Sequence, residues 1–239
     1  MAKYVVIGGS RGIGAATAEH LVEQGHEVLS VSRTPAAAGE WIEADVATDA
    51  GVLAVRAAVE ARDQGDGAAA GLDGLLFLGG VWEKGAFTDN YDFFASPMEE
   101  TRFVLSVNLT APILLAQALT PYLAKASNPR VILNGSESGL ANSGSREVAN
   151  TASKFGMQGM TEALNQVLRG HGIGVTVVNF GNVATPEVLD DIETGLFGPQ
   201  VPIPIEDLLA TYDYLLKISA ATVPQSIDLR QKTPGGIGE

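Results

Sequence analysis

The chain has 239 residues, a formal net charge of −13 and no cysteine. That length suits a single α/β sheet with a sizeable buried core, so we expect one domain over residues 1–239. The lack of cysteine excludes disulfides, thiolate zinc sites and a cysteine nucleophile, and the acidic charge argues against a nucleic-acid partner.

Short β-branched runs alternate with longer helical patterns along the chain. This alternation is typical of a parallel sheet covered by helices on both faces. We predict strands at Lys3–Ile7, Glu27–Val31, Trp41–Glu43, Asp73–Leu78, Arg130–Asn134, Gly174–Asn179 and Ser226–Leu229. The expected fold is therefore a single Rossmann-like, doubly wound parallel sheet of about seven strands.

Helical patterns fill the intervals between the strands. The first helix is predicted over Gly12–Gln24 and ends at Gly25, a residue that can adopt the left-handed conformation favoured at helix ends. The small and polar stretch 63–71 is interpreted as a flexible surface connection, because the strand pattern resumes directly after it.

A long helical pattern follows the fourth strand. Ser96 is predicted to cap its start, with Pro97 in the first helical position and Glu99 completing a capping box. Pro112 is expected to kink the helix rather than end it, because an apolar helical pattern resumes after the proline.

The pattern of apolar residues also bears on possible partners. The stretches Met98–Leu123 and Thr151–Leu168 carry apolar residues over more than one face, so either a second subunit or the chain's own sheet covers them. The first alternative predicts a homodimer or homotetramer. We find no apolar run of the length needed to cross a bilayer and no signal peptide after Met1, so we expect no membrane partner and a cytoplasmic location.

A glycine-rich turn, Gly8-Gly9-Ser10-Arg11-Gly12-Ile13-Gly14, joins the first strand to the first helix. Its glycines allow a tight turn, close approach of the backbone to a pyrophosphate and close packing of the helix. The helix N-terminus then presents its N–H groups and positive dipole end to the phosphates. The predicted cofactor contacts in this turn are Gly8, Ser10, Arg11, Gly12, Ile13 and Gly14.

The spacing of these glycines resembles the motif of short-chain dehydrogenases/reductases, and the resemblance extends along nearly the whole chain. It implies a nicotinamide dinucleotide cofactor. It also implies contacts after the third, fourth and sixth strands, at Asp45, Val46, Gly79, Gly80, Val183 and Thr185. At the fourth strand the chain has Phe-Leu-Gly-Gly where the family usually has Asn-Asn-Ala-Gly, so only the backbone role of the glycines carries over.

The end of the second strand bears on the choice of cofactor. It reads Val31-Ser32-Arg33, without the acidic residue that would bind a ribose 2′-hydroxyl. Arg11 and Arg33 could instead pair with a 2′-phosphate, which favours NADP(H) over NAD(H). The alternative is that Arg33 is an ordinary solvated residue.

Four residues resemble the catalytic set of the family. Ser136, after the fifth strand, matches the catalytic serine, and Asn108 matches the helix asparagine that holds a water in a proton relay. The stretch 150–156 matches the family's Tyr-x-x-x-Lys helix, except that Asn150 stands in place of the tyrosine. Asn150 and Lys154 share a helix face, because they are one helical turn apart.

An asparagine at this position removes the usual proton donor. Its amide can donate a hydrogen bond but cannot ionise at useful pH, and losing a general acid costs about two to four powers of ten in rate. Tyr91, in an aromatic segment expected at the carboxyl edge of the sheet, is a candidate for a relocated acid, unless these aromatics only pack the loop or a subunit contact. Further candidates are Glu137, Ser138, Glu147 and Lys154.

Three functions follow from this pattern. The first is an NADP(H)-dependent oxidoreductase that transfers hydride to or from a small, partly apolar carbonyl, enone or imine, with Asn150 in the tyrosine's place. The second is an ordinary carbonyl reductase with a relocated acid. The third is a noncatalytic NADP-binding sensor or partner subunit. The stretch 186–204 resembles the family's substrate loop, and the three histidines have no spacing that suggests a metal.

Overall fold

The computed structural model describes residues 1–65 and 71–232. Within them, parallel strands form one seven-stranded sheet in the order β3-β2-β1-β4-β5-β6-β7. The strands are β1 (Lys3–Ile7), β2 (Glu27–Ser32), β3 (Glu40–Glu43), β4 (Gly74–Phe77), β5 (Arg130–Asn134), β6 (Gly174–Phe180) and β7 (Ser226–Leu229). The predicted fold class is confirmed, and the strand order reverses direction between β1 and β4.

Helices cover both faces of this sheet. They are α1 (Gly12–Glu23), α2 (Asp49–Gly65), α3 (Met98–Leu105), α4 (Ala111–Leu123), α5 (Val148–Leu168), α6 (Pro186–Glu193) and α7 (Ile205–Lys217). One apolar cluster joins the sheet to α2, α4 and α5, and a second joins its other face to α1 and α7. Strands β4 and β5 are buried along their whole length, because a parallel sheet between two helical layers leaves neither strand face in water.

The ends of the predicted elements agree with the structure to within one or two residues at most strands. Helix α1 ends with Gln24 as its cap, and Gly25 has the expected positive φ of 80°. The predicted connection at 63–71 begins inside α2, which continues to residue 65, and its residues 66–70 lie outside the described part of the chain.

The predicted cap of the third helix is wrong. Helix α3 begins at Met98, with Pro97 as the preceding cap residue rather than as the first helical residue, and no side chain caps it. The hydroxyl of Ser96 instead donates a hydrogen bond to the backbone oxygen of Asp92, at 2.9 Å. A capping serine must lie at the N-cap and accept a helix N–H at its oxygen, but Pro97 occupies that position, and Ser96 lies one residue too early in the chain.

The predicted kink at Pro112 takes a different form. A π-helical turn at Ser106–Thr110 separates α3 from α4, and the N–H of Ala111 donates to the oxygen of Ser106. Pro112 lies in the first turn of α4. Because proline has no N–H to give to the carbonyl four residues earlier, the wider turn accommodates the missing bond before the α-helix resumes.

The stretch Met98–Leu123 also corrects the expectation about membranes. Among the described residues it is long and apolar enough to cross a bilayer, with a mean hydropathy of 1.6, so the expectation that no such run exists was wrong. Yet 44% of its most apolar window is buried inside the fold, where α4 contributes to the apolar cluster on the sheet. Packing on the sheet therefore explains part of its apolar character.

Candidate active site

The glycine-rich turn after β1 is shaped by close backbone contacts. The N–H groups of Gly8 and Gly9 both donate to the oxygen of Val31, at 2.8 and 3.3 Å, and Gly8 has a φ of 92°. A Cβ on Gly14 would lie 2.1 Å from the oxygen of Gly8, and a Cβ on Gly8 would lie 2.7 Å from the Cα of Gly79. The turn therefore requires glycine at both positions, and it packs between α1 on one side and the loop after β4 on the other.

The N-terminus of α1 is open to an anion. Arg11 is the residue before the helix, its backbone is extended, and no side chain caps the first turn. That turn contains no acidic residue. Ser10, Gly12 and Ile13 are half-buried, whereas Arg11 is exposed. The N–H groups and positive dipole end of α1 can bind a ligand with negative charge, although the carboxylate of Glu187 already lies 3.7 Å from the Cβ position of Gly12.

The structure places the predicted adenosine contacts at the carboxyl ends of β2 and β3. Arg33 is exposed, and its guanidinium carbon lies 6.0 Å from the ring centre of Phe103. The carboxylate of Asp45 accepts a hydrogen bond from the N–H of Ala47, at 3.0 Å, and shapes the turn into α2, while Val46 packs against the core. Adenine contact by Asp45 and Val46 stays a prediction.

Gly80 lies beside two polar side chains of the predicted catalytic set. The position of a Cβ on Gly80 is 3.9 Å from Oδ1 of Asn108 and 4.0 Å from Nζ of Lys154. Asn108 is buried in the π-helical turn and holds the loop after β4, since its amide accepts from the N–H of Val81 at 2.9 Å and donates to the oxygen of Val81 at 2.7 Å. The amide also donates to Oγ of Ser153, at 3.2 Å. Helices α3–α4 and α5 are therefore joined at this point.

Lys154 and Ser136 are brought together at the carboxyl end of β5. The ammonium of Lys154 donates to the backbone oxygen of Asn134, at 3.0 Å, and burial lowers its pKa to about 8. Oγ of Ser136 accepts a hydrogen bond from the N–H of Ser138, at 3.1 Å, which leaves its own hydrogen free for a further acceptor. Gly139 packs on the backbone of Lys154, so the loop that carries Ser136 rests directly on α5.

Asn150 lies in the first turn of α5 and is buried, with an exposed fraction of 3%. Its backbone N–H donates to Oε1 of Glu83, at 3.2 Å, and its backbone oxygen accepts from the hydroxyl of Ser153, at 2.7 Å. Its hydrogen bonds to Glu83 and Ser153 are thus made by the backbone. Asn150 and Lys154 both lie in α5, one helical turn apart, as predicted.

The loop after β4 supplies two residues that hold the start of α5. Oε1 of Glu83 also accepts the N–H of Ala149, at 2.7 Å, and the hydroxyl oxygen of Tyr91 accepts the N–H of Val148, at 3.2 Å. Sequence reasoning identified Tyr91 as a candidate but missed Glu83. No local pattern marks Glu83, because its partners lie 66 and 67 residues later in the chain.

The loop after β6 completes the edge of the site. Val183 is buried and pairs with Ile203, and Thr185 caps α6, with its hydroxyl 3.4 Å from the N–H of Val188. The position of a Cβ on Gly12 is 3.8 Å from the methyl group of Thr185, so this loop contacts the glycine-rich turn. The stretch 186–204 thus begins with helix α6, which starts next to the glycine-rich turn.

Comparisons with known proteins bear on the family and the fold of the chain. The family model described as short chain dehydrogenase matches residues 3–194. The short-chain dehydrogenase/reductase cdmF of Talaromyces verruculosus is 30% identical over 188 residues, which cover 76% of this chain and 69% of that protein. The solved structure of the TT0495 protein from Thermus thermophilus has a TM-score of 0.77 and 27% identity, covering 96% of this chain and 97% of its own.

A second solved structure shows likeness of fold alone. It is a 3-ketoacyl-(acyl-carrier-protein) reductase from Brucella melitensis complexed with NADH. Its TM-score is 0.78 at 20% identity, and the match covers 97% of each chain. The topology of this sheet is therefore one that accommodates a nicotinamide dinucleotide in another protein.

Proposed function

The chain belongs to the short-chain dehydrogenase family, and we propose that it is an NADP(H)-dependent oxidoreductase acting on a small, partly apolar carbonyl, enone or imine. Membership of the family implies an oxidoreductase with a nicotinamide cofactor. The choice of NADP(H), the substrate class and the catalytic role of Asn150 belong to the proposal.

The residues present fit a dinucleotide. Gly8 and Gly14 form a cradle that a Cβ would fill, and the first turn of α1 carries neither a capping side chain nor an acidic residue. Pyrophosphate oxygens can therefore accept hydrogen bonds from this backbone. When bound, a nicotinamide dinucleotide supplies or accepts hydride. The role proposed for Lys154 is to hold the ribose hydroxyls beside Gly80.

The observation that carries the proposal is the meeting of Asn108 and Lys154 at Gly80. Both side chains are buried, and a buried ammonium is unfavourable unless a partner or a task requires it there. Asn108 also holds the loop after β4, but a protein that only binds a dinucleotide through its phosphates has no need of a buried ammonium at this point. Their convergence with Ser136 supports hydride-transfer chemistry at this point.

The preference for NADP(H) is supported by charge at the end of β2. Arg33 and Arg11 are both exposed, and no carboxylate stands at the end of this strand to repel a 2′-phosphate. The face of Phe103 lies within reach of a cation–π contact with Arg33, which helps to hold the guanidinium over the cleft. We propose that this guanidinium pairs with the 2′-phosphate.

In the proposed reaction Ser136 and Asn150 hydrogen-bond the substrate oxygen or nitrogen. Neither side chain can lend a proton as readily as a phenol beside a lysine. Enones and imines suit this pair, because an enolate is stabilised by hydrogen bonds and a protonated imine already carries its proton. Ordinary ketones are expected to react slowly.

A homo-oligomer is part of the proposal. Ile113, Val148 and Phe155 lie on α4 and α5 with exposed fractions of 41%, 49% and 42%. Apolar side chains exposed together on two helices favour coverage by a second copy. The expected state is a homodimer or homotetramer.

A second candidate function has a specific observation in its favour. The hydroxyl oxygen of Tyr91 accepts the N–H of Val148, two residues before Asn150, so its hydrogen remains free to be donated. A carbonyl reductase could use Tyr91 as its acid. In that case Tyr91→Phe would lower cyclopentanone reduction by about 100-fold, whereas in the first candidate it would change enone reduction less than about threefold.

The first test measures binding of NADPH and NADH by cofactor fluorescence, and then their oxidation by cyclopentenone, pyrroline and cyclopentanone. NADPH binding with oxidation by the enone or the imine only supports the proposal. Binding without oxidation by any compound would favour a noncatalytic sensor or partner subunit. Failure to bind either cofactor would overturn the proposal.

Replacing Asn150 tests its role directly. Asn150→Tyr restores the family's phenol one turn from Lys154, and cyclopentanone reduction should rise by about 10- to 100-fold. Asn150→Phe is the matched control, since it adds the ring without the hydroxyl. Equal rates of cyclopentanone reduction for the two variants would contradict the idea that slow ketone reduction is due to the missing acid at position 150.

A further inference from the structure

Two buried carboxylates flank the first turn of α5. Glu83 and Glu147 have exposed fractions of 3% and 2%. Burial opposes ionisation of Glu147, but hydrogen bonds from the Phe87 N–H and from Ser145 hold its pKa below the ordinary value. Glu147 is therefore an anion at neutral pH.

Glu83 contacts the first turn of α5, which carries Asn150. Its Oε1 accepts the N–H groups of Ala149 and Asn150, at the positive end of the helix dipole. Its Oε2 is buried and has no hydrogen-bond partner among the described residues. A carboxylate oxygen without a donor is costly inside a protein, so this carboxylate is left only partly compensated.

The cations near these carboxylates form no close ion pair with them, although the charge of Arg146 helps to lower the pKa of Glu147. Among residues 1–65 and 71–232, no ion pair includes Glu83 or Glu147. Arg146 lies 3.8 Å from Asp89 and donates to the oxygen of Thr88. Lys154 donates to a backbone oxygen and, with a pKa of about 8, keeps most of its positive charge at neutral pH, so one buried ammonium stands against two buried carboxylates.

We propose that this site prefers a protonated imine, an iminium cation, over a neutral ketone or enone, with Glu83 as the specificity-determining residue. The inference rests on the proposed function and narrows its substrate class. A buried anion beside Asn150 attracts a cationic substrate and opposes the negative charge that develops on a ketone oxygen during reduction.

The chemistry of an iminium matches the side chains present. Hydride from the reduced nicotinamide cofactor forms a C–H bond at the iminium carbon, and the π pair of the C=N bond becomes the lone pair of the amine nitrogen. The carbon is reduced, the cofactor is oxidised, and no proton is transferred at the reacting atoms. An amide at position 150 is sufficient for this reaction, because its oxygen can accept the N–H of an iminium.

The test compares two five-membered rings that differ in charge. We expect NADPH oxidation with the permanent cation N-methylpyrrolinium to exceed that with cyclopentanone by at least about tenfold in kcat/KM. Glu83→Gln keeps the size of the side chain and removes its charge. It should raise KM for the cation about tenfold with little change in kcat, since the charge acts on binding, and should raise kcat/KM for cyclopentanone.

Glu162→Gln is the matched control. Glu162 is an exposed residue of α5, and its replacement changes the net charge of the protein by the same amount as Glu83→Gln. It should leave both substrates unchanged. The inference would be overturned if the unaltered protein reduced cyclopentanone as efficiently as the cation. It would also be overturned if Glu83→Gln bound NADPH normally and left the ratio of the two kcat/KM values unchanged.

A binding measurement decides the question without turnover. Calorimetry in the presence of NADP+ should show N,N-dimethylpyrrolidinium, which cannot react, binding at least about tenfold more tightly than cyclopentanol. This comparison uses the unaltered protein and so does not depend on the folding of a variant. If no compound oxidised NADPH, the proposed function would fail, while equal binding of the two ligands would overturn the charge preference alone.

Discussion

The nucleotide end and the substrate end of this site are built by different means. The nucleotide end is made of backbone, and its decisive contact joins Gly14 to Gly8 within one turn of chain. The substrate end is made of side chains from remote segments, such as Glu83 and Asn150, which are 67 residues apart. Steric contact between backbones tolerates only glycine, whereas side chains at the substrate end can be exchanged while the framework stays in place.

The largest expected effect comes from disrupting the glycine-rich turn at the nucleotide end. In Gly14→Ala the new Cβ would lie 2.1 Å from the oxygen of Gly8, so the glycine-rich turn must move away from α1. We expect the Kd for NADPH to rise by at least about 100-fold, because phosphate binding depends on the aligned N–H groups. Cofactor fluorescence measures the change.

Gly159→Ala is the matched control. Gly159 is an exposed residue of α5, and a Cβ there would meet no atom within 4 Å. It should bind NADPH normally and raise the free energy of unfolding by about 0.5–1 kcal/mol, since alanine is the better helix former. Normal NADPH binding by Gly14→Ala would show that this contact does not shape the nucleotide site.

The same contrast explains which features the sequence could predict. The strands, their order of appearance and the glycine-rich turn follow from β-branched runs and glycine spacing, which are local signals. Asn108 and Lys154 were predicted only through family resemblance, and the structure brings both to Gly80.

Other features depend on contacts that local patterns do not encode. Ser96 matched a capping signal, but helix α3 starts one residue later than predicted, with Pro97 at the cap position. Pro112 predicted a kink, but the missing N–H is accommodated by a π-helical turn before it. Glu83 had no signal, because its role depends on hydrogen bonds to the start of α5. Tertiary packing determines these features, and it can override local sequence preferences.

The second prediction concerns the substrate end and stability. Lys154 has a folded pKa of about 8, below its unfolded value of 10.5, so burial of the ammonium destabilises the folded state. This destabilisation is fully present below pH of about 8 and vanishes as pH rises to about 10.5. Lys154→Met should therefore raise the free energy of unfolding near neutral pH by up to about 3 kcal/mol, less the lost bond to Asn134.

Urea unfolding at a series of pH values measures this difference. The gain over the unaltered protein should shrink steadily through the window from about pH 8 to about pH 10.5. Lys84→Met is the control, because Lys84 is exposed, and its stability should match that of the unaltered protein throughout. A gain for Lys154→Met that does not change with pH would mean that packing, and not the charge, is responsible.

The smallest expected effect concerns the nucleotide end, where the side chain of Arg33 adds selectivity for NADPH over NADH to a site made of backbone. Arg33→Ala removes the exposed guanidinium at the end of β2, so the Kd for NADPH should rise about tenfold while that for NADH stays unchanged. Arg169→Ala, an exposed arginine at the amino edge of the sheet before β6, should change neither value. An equal loss of both cofactors would assign Arg33 to a part that they share, and no loss would make it an ordinary solvated residue; in either case the preference for NADP(H) would need another origin.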